Sequence, residues 1–353
     1  MAFSVSQLEH PIVQAPMGGG PSTAALAAAV SEAGGLGFLA AGYRTPDAVR
    51  SEIGELRALT ARPFGLNLFA PGPPSGDVEA LERYAAALRG EAERLGVGLG
   101  EPRHDDDHWE AKLGLVREER VPVVSFTFGC PDAAVVSSLQ EADCAVWVTV
   151  TTPEEAEAAT GVGADALVVQ GIEAGGHRGT HDAATRGDIG LLALVQLVRA
   201  VTELPLVATG GIATGRGVAA VLAAGAAAAQ LGTAFMLTPE AATSAAHREA
   251  LGGDRGTTLT RAFTGRSARG IENRFIREHE AEAPLAYPEV HNLTAPLRAA
   301  ARERGDADGF HLWAGQAYSL AAAGVPAGEL VTQLAKEARD ALLSALDSRG
   351  QTP

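Results

Sequence analysis

The chain reads as an α/β protein: a (β/α)8 TIM barrel carrying a second, smaller lobe over one end. Three observations predict this. Eight short apolar runs recur along the chain, each run is continuous rather than alternating in polarity, and helical patterns separate them. Continuous apolar runs are the mark of strands covered on both faces of a parallel sheet. A doubly wound open sheet has the same periodicity and stands as the alternative, because periodicity does not count closure.

The runs are PIVQA (11–15), GLGFLAA (35–41), PFGLNLF (63–69), VPVVSFTF (121–128), CAVWVTV (144–150), ADALVVQ (164–170), PLVATG (205–210) and AAAAQLGTAF (226–235). Between them lie helix candidates such as STAALAAAVSEAGG, TPDAVRSEIGELRAL, TPEEAEAATG and GRGVAAVLAAG. Several begin with Ser or Thr and end with Gly, as helix caps do. Residues 1–240 therefore make the barrel, with an insertion at about 70–120 that opens on the loop APGPPSGD. Residues 241–309 lose the strand–helix rhythm and are expected to form the smaller lobe. Residues 310–353 end in the amphipathic pattern ELVTQLAKEARDALLSAL, expected to pack back on the barrel.

Bulk properties narrow the function. A net charge of −15, with only Lys112 and Lys336 as lysines, argues against nucleic acid and against an anionic membrane surface. Two cysteines, Cys130 and Cys144, make a disulfide framework unexpected and suit a cytoplasmic location. The start, MAFSVSQLEHPIVQ, lacks the basic and apolar regions of a signal peptide. The apolar stretch GVAAVLAAGAAAAQLGTAF is interrupted by glycines and a glutamine, so it reads as a buried helix plus a strand.

A barrel of this kind places its site at the C-terminal ends of the strands. Glycines cluster there. Gly210 and Gly211 follow the seventh run, while Gly232 and Thr233 lie within the eighth run, where its strand is expected to end. Backbone N–H groups without a Cβ in the way can surround a phosphate, and these two loops are the usual place for one. The competing reading is turn and helix packing. No lysine follows, so GIATGRG is not a Walker loop.

PMGGG, with Met17, offers a flat backbone surface for a planar ring or a simple turn. Asn67 and Gln170 close buried strands, and their amides serve either backbone groups or a ligand's polar edge. EAGGHRG follows the sixth run, so His177 overhangs the barrel mouth, with Gly175 and Gly176 letting backbone pass close to a ligand. An imidazole titrating near neutrality is the natural general base, with activity that rises with pH. His181 is less favoured. HDDDHW (104–109) spaces His104 and His108 like metal ligands, but reads better as a solvated run capping a helix, so no metal is expected. Cys130 reads as a buried structural thiol.

Four blocks together resemble the bacterial class I nitronate monooxygenases: PIVQAPMGGG, VVSFTFGCP, VVQGIEAGGHRG and PLVATGGIATGRGVAAVLAAGAAAAQLGTAF. TRAFTGRSARGIENRF and FHLWAGQA resemble further family segments, so the likeness spans residues 11 to about 317. The resemblance implies noncovalent FMN in the barrel and a smaller lobe over the flavin. It implies oxidation of alkyl nitronates, propionate 3-nitronate among them, by O2 to a carbonyl compound and nitrite. It places the backbone of Ala15, Pro16, Met17 and Gly18 beside the flavin ring and Asn67, Gln170 and Gly175 in contact with it. Gly211 with Gln230, Leu231, Gly232 and Thr233 would hold the phosphate. His177 matches the histidine that deprotonates neutral nitroalkanes in members that accept them. Thr127 stands where many class I members have histidine, which leaves the substrate range open. Related readings are an NAD(P)H:quinone reductase or an enoyl-acyl-carrier-protein reductase of the same barrel superfamily; a non-enzymatic flavin-binding protein is the least favoured. The partners expected are a small nitronate and O2, for a monomer or homodimer.

Overall fold

In the computed structural model, which describes residues 2–185 and 187–347, each predicted run holds one barrel strand. They are β1 (Ile12–Gln14), β2 (Phe38–Ala40), β3 (Gly65–Phe69), β4 (Val123–Thr127), β5 (Ala145–Val150) and β6 (Ala166–Gln170). A short strand outside the barrel, β7 (Gly176–His177), comes before β8 (Leu206–Thr209) and β9 (Ala228–Leu231). The eight barrel strands are all parallel, in the order β1-β9-β8-β6-β5-β4-β3-β2. The two ends then meet. Val13 bridges Leu36 in parallel register, Gln14 N–H donates to Leu36 O at 2.9 Å, and Leu36 N–H donates to Ile12 O at 3.0 Å. The Gln14 side chain adds an acceptor for Phe38 N–H at 2.9 Å. This closure selects the barrel over the open sheet.

The barrel interior is solid. Val13, Phe38, Val123, Trp147, Val168 and Val207 fill it, each at most 2 % exposed. Thr23, Thr45 and Thr152, caps read from the sequence, and Thr214, just before its helix candidate, each accept a backbone N–H in the first turn of the following helix. The long helix Ala327–Asp347 lies against the helix Gly215–Ala223. A Cβ at Gly215 would come within 2.2 Å of Glu337 Cβ, so only glycine allows this approach.

The second lobe is built on β10 (Thr257–Thr260), β11 (Ala268–Ile271) and β7, an antiparallel sheet in the order β10-β11-β7. Its core gathers Phe263, Phe275, Leu297 and Phe310 together with Leu81, Tyr84 and Leu95. The two helices Val78–Ala87 and Arg89–Leu95, from the segment after β3, pack there against the helix Glu289–Glu303. Chain segments far apart in sequence thus share one apolar core. Among the described residues, no helix is long and apolar enough to cross a membrane.

Candidate active site

The C-terminal ends of the barrel strands open into a cavity of about 360 Å³ beneath the second lobe. Every residue singled out for the ligand site lines it. After β1 the backbone of Ala15, Pro16, Met17 and Gly18 forms part of its floor. That turn is held by Ser22, whose Oγ accepts from Met17 N–H at 2.9 Å and from Gln14 Nε2 at 3.1 Å.

Gly210 and Gly211 follow β8 at φ of 122° and 67°, where a side chain is strained. A Cβ on Gly211 would meet Glu173 Cβ at 2.8 Å, so packing within the protein already demands glycine there. Gly232 has an ordinary φ of −104° and room for a Cβ, the nearest atom being 3.6 Å away. Gln230 and Leu231 end β9 below it. Thr233 Oγ1 accepts from Gly315 N–H at 3.1 Å, and its own proton remains available. Among the described residues, the backbone N–H groups of Gly211, Gly232 and Thr233 have no protein acceptor.

The two strand-end amides do different work. Asn67 Nδ2 donates to Ser125 O, Ser125 Oγ and Thr127 Oγ1 at 2.9–3.1 Å, leaving Oδ1 for a ligand. Gln170 braces the histidine loop: Nε2 donates to His177 O at 3.0 Å, and Oε1 accepts from Gly179 N–H at 2.8 Å and Arg178 Nη1 at 2.9 Å. One Gln170 N–H is left over.

The histidine loop leaves the barrel and joins the lobe. Gly176 and His177 pair with Arg269 and Ala268 of β11. Gly175 lines the cavity and is also demanded by a protein contact, since a Cβ there would meet Ala314 C and Gly315 N at 2.5 Å. Glu173, the acid of the loop, caps the helix Leu191–Arg199 by accepting Leu191 N–H at 3.0 Å. Arg178 is 1 % exposed and its guanidinium is spent on carbonyls of Gln170, Gly171 and Gly187. These bonds fix the backbone from which His177 projects.

His177 sits among the rings of Phe128, Tyr287 and Trp313, with centroids 5.5–5.8 Å away. Its Nε2 lies 2.9 Å from Thr264 Oγ1. The Thr264 hydroxyl is committed as donor to Arg266 O at 3.2 Å, so it accepts from Nε2–H. In that arrangement the ring is the Nε2–H tautomer and Nδ1 is unprotonated. Desolvation, with the charges of Arg266 and Arg298, lowers the imidazole pKa to about 3. The expectation of titration near neutrality is corrected on this ground: burial and two guanidiniums keep the ring neutral throughout the physiological range.

Arg298, on the helix Glu289–Glu303, also lines the cavity. Its Nε donates to Thr294 Oγ1 at 3.0 Å and its Nη2 to His291 O at 2.7 Å, while Nη1 has no protein acceptor among the described residues. Desolvation lowers its pKa to about 10, which leaves it cationic at neutral pH. Arg298, His291, Thr264, Trp313 and Tyr43 are functional candidates that the sequence did not single out. For Thr264 and Trp313 the signal was the basic, aromatic wording of TRAFTGRSARG and FHLWAGQA; Tyr43, His291 and Arg298 lie outside those stretches.

Other motifs fall elsewhere. His181 Nε2 lies 3.0 Å from Thr149 O, a structural tie at a strand end. Burial pushes the Cys130 thiol up to about 11, away from reactivity. His104 and His108 are exposed, and His108 precedes the helix Trp109–Glu118 without capping it through its side chain. The run between them is not simply solvated, because Asp107 pairs at 2.7 Å with Lys112, whose side chain is 2 % exposed.

Residues 2–337 match the family model for nitronate monooxygenase. The chain belongs to the nitronate monooxygenase family. It is 45 % identical to a nitronate monooxygenase of Pseudomonas aeruginosa, over 94 % of this chain and 97 % of that one. It is 40 % identical to a nitronate monooxygenase of Paraburkholderia phytofirmans, over 95 % and 94 % respectively. Among solved structures, a nitroalkane oxidase from Streptomyces ansochromogenes superposes with a TM-score of 0.94 at 52 % identity, covering 97 % of this chain and 99 % of that one. FabK from Thermotoga maritima superposes with a TM-score of 0.77 at 28 % identity, covering 99 % and 97 %. Family membership makes the chain an oxidoreductase, and the cavity described above is its candidate active site.

Proposed function

We propose that this enzyme oxidises alkyl nitronates, and neutral nitroalkanes after removal of a carbon-bound proton, with FMN as cofactor, O2 as electron acceptor, and a carbonyl compound and nitrite as products. The observation that carries the proposal is His177: a neutral imidazole, its Nε2 committed to Thr264, lying with Arg298 on a cavity rimmed by backbone N–H groups that have no acceptor. Those N–H groups, at Gly211, Gly232 and Thr233, suit a phosphate of FMN, and the Ala15–Gly18 backbone suits its planar ring. Asn67 Oδ1 and the spare Gln170 N–H suit the ring's polar edge. When bound, the flavin supplies the electron sink that the substrate carbon requires.

The side chains do the rest. The Nδ1 lone pair of His177 accepts the proton from the carbon beside the nitro group. Arg298, positively charged at neutral pH, offsets the negative charge that develops on the nitro oxygens. The rings of Phe128, Tyr287 and Trp313 keep water from His177. A preformed nitronate needs only the charge compensation.

The test is a ratio of rates at matched flavin content. His177→Ala is expected to lower activity on nitroalkanes by about 10²–10⁴ and activity on nitronates by less. An unchanged ratio removes the base from the proposal. Reduction of the anaerobic protein by NADH but not by ethyl nitronate overturns the substrate assignment altogether. The kcat/KM for nitroalkanes should be flat between pH 5.5 and 8, since the free imidazole, with its pKa at about 3, is already neutral there.

A further inference from the structure

Tyr43 is strained, partnered on every side, and aimed at the cavity. It follows β2 at φ 65°, a region that a bulky residue adopts only where its surroundings impose it. Its ring lies parallel to His291 at 4.1 Å between centroids, and Gly18 of the β1 turn is so placed that a Cβ there would be 4.0 Å from Tyr43 Cδ2. The 37 % of its surface that remains exposed borders the 360 Å³ cavity and an adjoining outer cleft. Tyr287, from the second lobe, donates its hydroxyl proton to Tyr43 Oη at 3.0 Å. The Tyr43 proton is therefore free, and no protein acceptor takes it among the described residues.

The segment HDDDHW explains how this geometry is held. Asp107 Oδ1 accepts from Tyr43 N–H at 3.0 Å, and Oδ2 is paired with Lys112 Nζ at 2.7 Å. Lys112 Nζ in turn donates to Ala41 O at 2.8 Å. One buried ion pair thus grips the loop on both sides of Gly42. Aspartate is needed for two acceptor atoms, and lysine is long enough to reach a carbonyl two residues before the tyrosine.

We propose that Tyr43 is a substrate-binding residue that donates its hydroxyl proton to an oxygen of the nitro or nitronate group, with Asp107 and Lys112 as its positioning residues. The assignment rests on the nitronate reading above and adds to it a donor from the β2 loop. His177 handles the proton, Arg298 the charge, and Tyr43 orients the O–N–O plane. Burial pushes the Tyr43 hydroxyl up to about 12, so it stays a donor at working pH.

The experiment uses the flavin-loaded protein with ethyl nitronate as substrate and nitrate as an unreactive planar anion. Tyr43→Phe keeps the ring and its stacking but removes the donor. It is expected to lower kcat/KM about 10- to 100-fold, the loss of one hydrogen bond to a charged group. It should weaken nitrate binding by calorimetry over the same range, with flavin content unchanged. Asp107→Leu combined with Lys112→Met removes the ion pair as a unit. It should lower kcat/KM in the wild-type background and add nothing once Tyr43→Phe is present, because both act through one hydroxyl. Wild-type kinetics and nitrate affinity in Tyr43→Phe overturn the assignment, and additive losses overturn the positioning role. A wild-type protein that does not oxidise nitronates at all removes the nitronate reading and this proposal with it. Should the double variant fail to fold, Tyr43→Phe alone decides.

Discussion

The barrel face of the cavity and the lobe face are built by different means. The barrel face offers backbone at the Ala15–Gly18 turn, Gly210, Gly211 and the N–H groups beyond β9, beside the strand-end amides of Asn67 and Gln170. The lobe face is side chains: Thr264, His291, Arg298 and Trp313, with His177 drawn to it by the pairing of β7 with β11. Backbone donors bind whatever phosphate fits and demand glycine in return. Side chains carry charge and proton affinity, and a single substitution can remove either. On the proposed function, flavin retention belongs mainly to the barrel face and substrate chemistry mainly to the lobe face, with Tyr43 of the β2 loop as the barrel's contribution to the substrate.

The separation can be broken most severely on the barrel face. Gly211→Val sets a β-branched residue at φ 67° against Glu173 Cβ. Strain of ~1–3 kcal/mol and displaced N–H donors should reduce FMN affinity about a hundredfold or more. Fluorescence titration of the released flavin measures this, and full retention would detach Gly211 from the phosphate. On the lobe face, Arg298→Gln should raise KM for nitronates about 10- to 100-fold, one lost charge-assisted contact, without releasing flavin. Steady-state oxygen uptake together with the visible spectrum reads both quantities, and loss of flavin in this variant would blur the two faces.

The lobe face should also fail first in acid. His177, His247, His291 and His311 line the cavity, and desolvation is the leading cause that lowers the pKa of each. Below the ordinary histidine pKa of 6.5, the unfolded chain binds protons that the folded chain refuses. Stability therefore falls as pH drops from about 6.5 toward 4, by up to ~1.4 kcal/mol per pH unit for each histidine, and is indifferent to them above about pH 7.5. Melting temperatures from pH 4.5 to 8 check the sign, and a flat curve would mean that the ring environments are wetter than described. The smallest effect is expected from Thr264→Val. It frees the His177 Nε2–H and should cost about three- to tenfold in nitroalkane turnover, with nitronate turnover unchanged.

Much of the barrel face was legible in the sequence. Continuous apolar runs, threonine caps and glycines at the ends of the seventh and eighth strands are local signals, because backbone geometry is set within a few residues. His177 was legible for the same reason, standing in its own glycine-rich loop. Its protonation was not. The nearby charges come from Arg266 and Arg298, 89 and 121 residues along the chain, and the Thr264 partner is equally remote. Gly175 was read as making room for a ligand; it lines the cavity, and it also makes room for Ala314 and Gly315. HDDDHW was read as a solvated run because it lies in the charged insertion, yet Asp107 finds Tyr43 and Lys112 once the loops meet.

By itself, then, the sequence determined eight parallel strands with helical crossovers, their polarity and the end where the candidate site lies. Those follow from periodicity, capping and backbone freedom, which act over short stretches of chain. Closure of the barrel, the sharing of one core by the segment after β3 and the second lobe, and the aim of Tyr43, His177 and Arg298 into one cavity were decided only by the tertiary structure. Each depends on which distant surfaces exclude water together, and burial of that kind is a property of the packed molecule rather than of any local run of residues.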